Sequence, residues 1–256
     1  MRSHHRLLPL LAPLVLAAIA VAGAIRPAAA EQPVPYDPFV IPAAKFHAEV
    51  KSIALAPLDV SADPKAFSPL RAEAETRFAE AVAKQGFRVV PAQEYRRIWA
   101  ALAGRLGGVY DPVTGDPIAD KWKACTDLVA RELAREHGVD AIARPAFSRG
   151  SLRWGGSGFS GEAMALGEPI TMHGKPVLAM GYEGVNGVVG SWFGVIVRDL
   201  AGAELFNVRA PLRWERVYAA RSWDDRPGGG SPDSGRVHAT IDEIAEALGP
   251  TAAAKP

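Results

Sequence analysis

DKWKACTDLVARELAREHGVDAIARPAF, residues Asp120 to Phe147, carries two hydrophobic periods in succession. Trp122, Cys125, Val129 and Leu133 recur at steps of three and four, which places them on one helical face. Asp116 and Pro117 upstream supply a cap acceptor and a first-position proline. Gly138 follows His137 and ends the helix, because glycine takes the left-handed conformation a helix end needs. Val139 to Ala143 follow and, Asp140 apart, are apolar without alternation, as in a strand covered on both faces. A long helix feeding a buried strand through one glycine is half of a βαβ layer.

Upstream, Val50 to Val60 reads as a first strand. Ser68–Pro69 opens a helix whose inner side is Leu70, Ala74, Phe78, Ala81 and Val82 and whose end is Gly86. Phe87 to Val90 is a second strand, and Tyr95, Ile98, Trp99, Leu102 and Leu106 line a second helix. Val109 to Ile118, with its Asp–Pro and Thr–Gly steps, is a compact surface loop. Downstream, Trp192 to Arg198 and Ala203 to Arg209 form a β-hairpin around Asp199–Gly202. Thr240 caps a final helix with Ile241, Ile244, Ala245 and Leu248 inward, stopped at Gly249–Pro250. Alternating strand and helix periods predict an α/β fold, a layered mixed sheet with flanking helices and a C-terminal hairpin plus helix.

The 256 residues divide accordingly. Residues 1–30 read as a cleaved signal peptide: Arg2 and Arg6 start it, Leu7 to Ala24 is apolar, and Ala28 to Ala30 is a small-residue cleavage site. Residues 31–49, with Pro33, Pro35, Pro38 and Pro42, read as an extended lead-in. A single α/β domain spans 50–249, with a glycine-rich insertion at 150–190 and a mobile loop at 221–236. A disordered tail covers 250–256. The expected location is periplasmic or secreted, with no stable membrane span after cleavage.

The formal charge is +1, and removing the leader takes away three arginines and no acid, leaving −2. No run of lysine or arginine stands out, so nucleic acid is not an expected partner. The only cysteine, Cys125, cannot form an internal disulfide and lies on the apolar stripe, so burial is expected.

The stretches Ser52-Ile-Ala-Leu-Ala-Pro57, Ala83-Lys-Gln-Gly-Phe-Arg-Val-Val90 and Ala134-Arg-Glu-His-Gly-Val-Asp-Ala-Ile142 resemble a group of exported envelope domains. The group includes the N-terminal domain of the Tol-system translocation protein and the curli-secretion lipoprotein. The resemblance covers residues 50 to 148 and the hairpin. It implies an α/β module that assembles or contacts another envelope component and is not an enzyme. The lack of a cysteine at the leader's cleavage site departs from the curli protein. No functional residue is carried over.

No catalytic constellation or cofactor motif emerges. Gly156-Ser-Gly158 and Gly158-Phe-Ser-Gly161 miss the spacing of a serine nucleophile elbow. Gly181, Gly184, Gly187 and Gly190 recur every third residue without the proline of collagen or the spacing of a dinucleotide loop. An alternative reading is an envelope hydrolase or metal-dependent enzyme using Asp111 and Asp116 with His137 or His173. The leading reading is a binding module for an envelope protein or glycan, with no cofactor and no metal. Its candidate contact residues are Tyr110, Asp111 and Thr114 in the loop, and Trp154, Tyr182 and Trp192 among the glycines. Of the adjacent Trp192 and Phe193, only one is expected to point inward.

Overall fold

The computed structural model describes the backbone of residues 37–154, 186–219 and 233–250, with short strand pieces between 161 and 179 and at 222–225; side chains are described for 37–150, 189–213 and 233–250. The leader, Tyr182 and His173 lie outside the described residues, as does the side chain of Trp154.

A mixed sheet carries the fold. Its parallel half consists of β1 (Ser52–Leu55), β2 (Asp59–Val60), β3 (Arg88–Val90) and the start of β4 (Ala141–Trp154). β1 lies between β3 and β4, with Ile53 registered on Val89 of β3 and on Ala141 of β4. β2 continues the same edge of β4, at Asp59–Ala146 and Val60–Phe147. The antiparallel half adds β5 (Asn186–Asp199), β6 (Glu204–Ala219) and β7 (Ser222–Asp225), in the order β7-β6-β5-β4-β1-β3. Three pairs of two-residue strands lie between β4 and β5 in sequence.

Helices cover both faces. α1 (Ala43–Glu49), α3 (Arg71–Lys84) and α6 (Ser234–Leu248) contribute to one core, with Phe46, Phe78, Val82, Ile241 and Ile244 packed on Ile53, Leu55, Phe147, Phe193 and Val195. A short helix, α2 (Pro64–Phe67), and a turn of 3₁₀ helix (Ser68–Leu70) lead into α3. α4 (Ala92–Arg105) and α5 (Ala119–His137) build the second core on the opposite face, over Ala54, Val90 and Ile142. Cys125, Val129 and Leu133 of α5 are fully buried there, each aliphatic residue contributing roughly 1.5–3 kcal/mol. Gly138 caps α5 at φ 57°, φ/ψ values a side chain would resist. The second core ends at β4.

Several boundaries differ from the sequence reading. Residues 43–49 are helical, not extended: the prolines stop at Pro42, and Phe46, with no exposed surface, docks the helix. The first strand is broken at Ala56–Leu58 into β1 and β2. α5 begins at Ala119 rather than at Pro117, because Pro117 is bridged to Tyr110 and closes the preceding loop. β4 runs eleven residues past the expected end at Ala143, to Trp154, and β5 begins inside the glycine-rich stretch. α6 starts at Ser234, with the Asp233 carboxylate accepting the Gly235 amide, and Thr240 is buried in its middle instead of capping it.

Candidate functional site

The loop before α5 organises itself. The Asp111 carboxylate accepts the amides of Val113 at 2.8 Å and Thr114 at 3.0 Å, and the Thr114 hydroxyl accepts that of Asp116 at 3.2 Å. Backbone bonds from Gly115 to Asp111 and from Asp111 to Asp116 close the ring. The Thr114 and Val113 amides hold the Asp111 carboxyl below the ordinary aspartate range. The Asp111 carboxylate and the Thr114 hydroxyl are therefore spent on the loop's own backbone, and Val113 at its tip is 91% exposed.

Beside the tip, four aromatic rings form a ladder from core to surface. Tyr95 is buried and stacks with Trp99 at 6.2 Å between centroids. Trp99 meets Trp122 edge to face at 4.6 Å, and Trp122 meets Tyr110 at 5.3 Å. Trp122 is 36% exposed and Tyr110 49%. Tyr95 and Trp99 are one turn apart on α4, so a helix firm in the core fixes the lower rungs. Trp122 sits in the first turn of α5, where the helix has only just met the core. Its expected place on the buried stripe is corrected here: Cys125 begins the buried part, and Trp122 overhangs it.

Of the other predicted contact residues, Trp192 lies elsewhere and is buried, with 1% exposure. Phe193 is buried too, on the helix-covered face against Phe78 and Phe147. Adjacent strand residues point to opposite faces, so Trp192 occupies the face that β5 shares with the second core. Gly150 on β4 leaves room for its indole, and the Arg209 guanidinium lies 5.4 Å from the ring centroid. The expectation that only one of the pair is buried fails: on the face opposite Phe193 the indole packs into the space at Gly150, with the Arg209 guanidinium over its ring. Trp192 does not join the surface formed by Tyr110.

The alternative metal site does not assemble from Asp111, Asp116 and His137. The two aspartates precede α5 and the histidine ends it, about 28 Å apart along a 19-residue helix. His137 instead sits 3.7 Å from Glu94, in a network with Arg97 and Glu136. Among the described residues no group of three or more His, Cys, Asp or Glu could hold a metal ion.

Sequence reasoning missed Trp99 and Trp122 as surface residues and missed Arg144 altogether. Arg144 projects from β4 near the Tyr95 phenol, close enough for its charge to act on that group. Burial pushes that phenol up, and the guanidinium pulls it partly back. The one signal was an arginine interrupting an apolar strand.

No family model matches the chain, and no curated protein matches it. Solved structures similar to it include a PelC dodecamer from Paraburkholderia phytofirmans, at 14% identity over 78% of this chain and 88% of that one, with a TM-score of 0.33. Lipoprotein GNA1162 from Neisseria meningitidis matches at 15% identity over 76% of this chain and 98% of that one, with a TM-score of 0.32. Neither carries a residue role across, and the likeness to the translocation and curli proteins is not shown by them. Among the described residues no helix is long and apolar enough to cross a membrane.

Proposed function

We propose that the chain is a non-enzymatic envelope module that binds a protein partner through the surface formed by Tyr110, Val113 and Trp122. One observation carries this: an aromatic ladder rooted in the core ends on exposed rings beside a loop tip with an almost fully exposed valine. Rigid aromatic rings bury large area with little loss of freedom, which makes them effective contact anchors. The loop favours a protein over a glycan. A sugar needs free hydrogen-bonding groups, whereas the Asp111 carboxylate and the Thr114 hydroxyl are engaged by the loop's own amides. Trp154 and Tyr182 are not needed for this surface.

A photo-crosslinking residue in place of Val113, expressed in the native cell, tests the reading. The expected result is one discrete crosslinked protein, lost on Tyr110→Ala, which should cost roughly 2 kcal/mol of binding, about thirtyfold. The same probe at Lys45, on the exposed side of α1, should give no such product. An absent product, or an identical one from both positions, would reject the proposed surface.

A further inference from the structure

A cleft of about 240 Å³ opens where α5 stops covering the sheet, between that helix and the β5–β6 turn. Its floor is Ile142 and Arg144 of β4; Ala130, Leu200 and Ala201 supply apolar wall. The charged residues around it divide unequally. Lys123 pairs with Asp127 at 2.7 Å, and Arg198 with Glu204 at 3.6 Å. The Asp199 carboxylate accepts the Ala203 amide at 2.8 Å and closes the turn. Arg144 is half-buried, and its neighbour is the neutral phenol of Tyr95. Among the described residues it has no carboxylate partner.

A guanidinium carries five donors in a planar fork, and no carboxylate among the described residues engages them. Removing such a group partly from water without an anion is costly, so a charge held this way is poised for one. Arg144 lines the cleft, so its fork is within reach of a ligand seated there. The apolar wall beside it suits a hydrocarbon body better than a fully hydrated inorganic ion. We infer that this cleft binds an organic carboxylate carrying a short apolar tail, with Arg144 as the bidentate partner of the carboxylate. The site is separate from the Tyr110–Trp122 surface and does not depend on the function proposed for it.

Hexanoate added to the full chain tests the assignment, with backbone amide shifts as the readout. Saturable shifts confined to residues 123–130, 142–144 and 198–202 are expected, with affinity in the millimolar range. Hexanol and inorganic phosphate, which lack the charge and the tail respectively, should each bind clearly more weakly. Arg144→Gln should abolish saturation. Arg144→Lys keeps the charge without the fork, provides a second folded variant, and should weaken binding about tenfold. Shifts that do not saturate, that persist unchanged in the Arg144 variants, or that phosphate or hexanol reproduces equally, overturn the inference.

Discussion

The Asp140 carboxylate accepts the backbone amide of Ser52 at 2.9 Å, while the Asp140 amide donates back to the Ser52 carbonyl at 2.9 Å. The same carboxylate oxygen also accepts the Lys51 amide at 2.9 Å. The junction after α5 is thereby fastened to the start of β1 before the ladder between β1 and β4 begins.

Asp140→Ala should therefore destabilise the protein by roughly 2–3 kcal/mol, since two charge-assisted bonds to backbone amides are lost. Asp140→Asn keeps an acceptor and should cost less. Urea unfolding checks this: the midpoint should fall for both, further for alanine, with an unchanged slope.

A Cβ at Gly150 would stand 3.2 Å from Nε1 of Trp192, closer than the indole can accept without moving. Gly150→Ala should cost about 1–3 kcal/mol. Trp192→Phe opens the slot, so in the double variant the two losses should add to less than their sum, by about 1 kcal/mol. Strict additivity in thermal or urea unfolding would show that the indole and the glycine do not compete for space.

Cys125 is fully buried, and burial raises its thiol above the ordinary range. Below about pH 8.5, the usual thiol value, both folded and unfolded chains hold the proton and stability is unaffected. As pH rises past that value the unfolded chain releases a proton that the folded chain keeps. Wild type should then lose stability relative to Cys125→Ala as pH rises above about 8.5, until the raised folded value is reached. Thiol labelling of the native protein should be slow throughout and become fast only in denaturant.

Asp111 shows the opposite sign. Its carboxyl is held below the usual value by the Thr114 and Val113 amides, so the loop clamp is complete above about pH 4. It should loosen only as pH falls through the lowered value. Amide shifts of Val113 and Thr114, followed by NMR, should titrate with a midpoint below 3.9, and Asp111→Asn should remove the transition. A midpoint at the unperturbed aspartate value would mean that the carboxylate does not hold these amides in solution.

The helix–strand unit was legible because its signals agree. Cys125, Val129 and Leu133 share a face, and Gly138 is where the helix stops. β4 was read too short because Arg144, Ser148 and Arg149 interrupt the apolar run. In the sheet that part of the strand needs only one apolar face, against α3 and α6, and Phe147 supplies it. α1 was hidden by the prolines just before it, whose restriction ends at Pro42. The loop from Val109 to Ile118 was recognisable from its turn dipeptides, but the aromatic ladder was not. Helical periodicity assigns a residue to a face, and it does not report how far along that face the core extends. Trp122 keeps the period of the buried stripe and still lies beyond its edge. Arg144 follows no period, and only the packed structure shows that its neighbour is a phenol and not a carboxylate.

β1 lies between β3 and β4, and both of these neighbours come later in the chain. Val89 is 36 residues beyond Ile53, and Ala141 is 88 residues beyond it. On a ribosome elongating at about 5–20 residues per second, the apolar segment Ile53–Ala56 waits roughly 4–18 s before its second partner is even synthesised. The β5–β6 hairpin, by contrast, closes across a turn of four residues, a local event of microseconds once its two strands exist. The most buried strand of the fold is thus made first and satisfied late, which makes the nascent chain, rather than the finished protein, the form that most needs a chaperone.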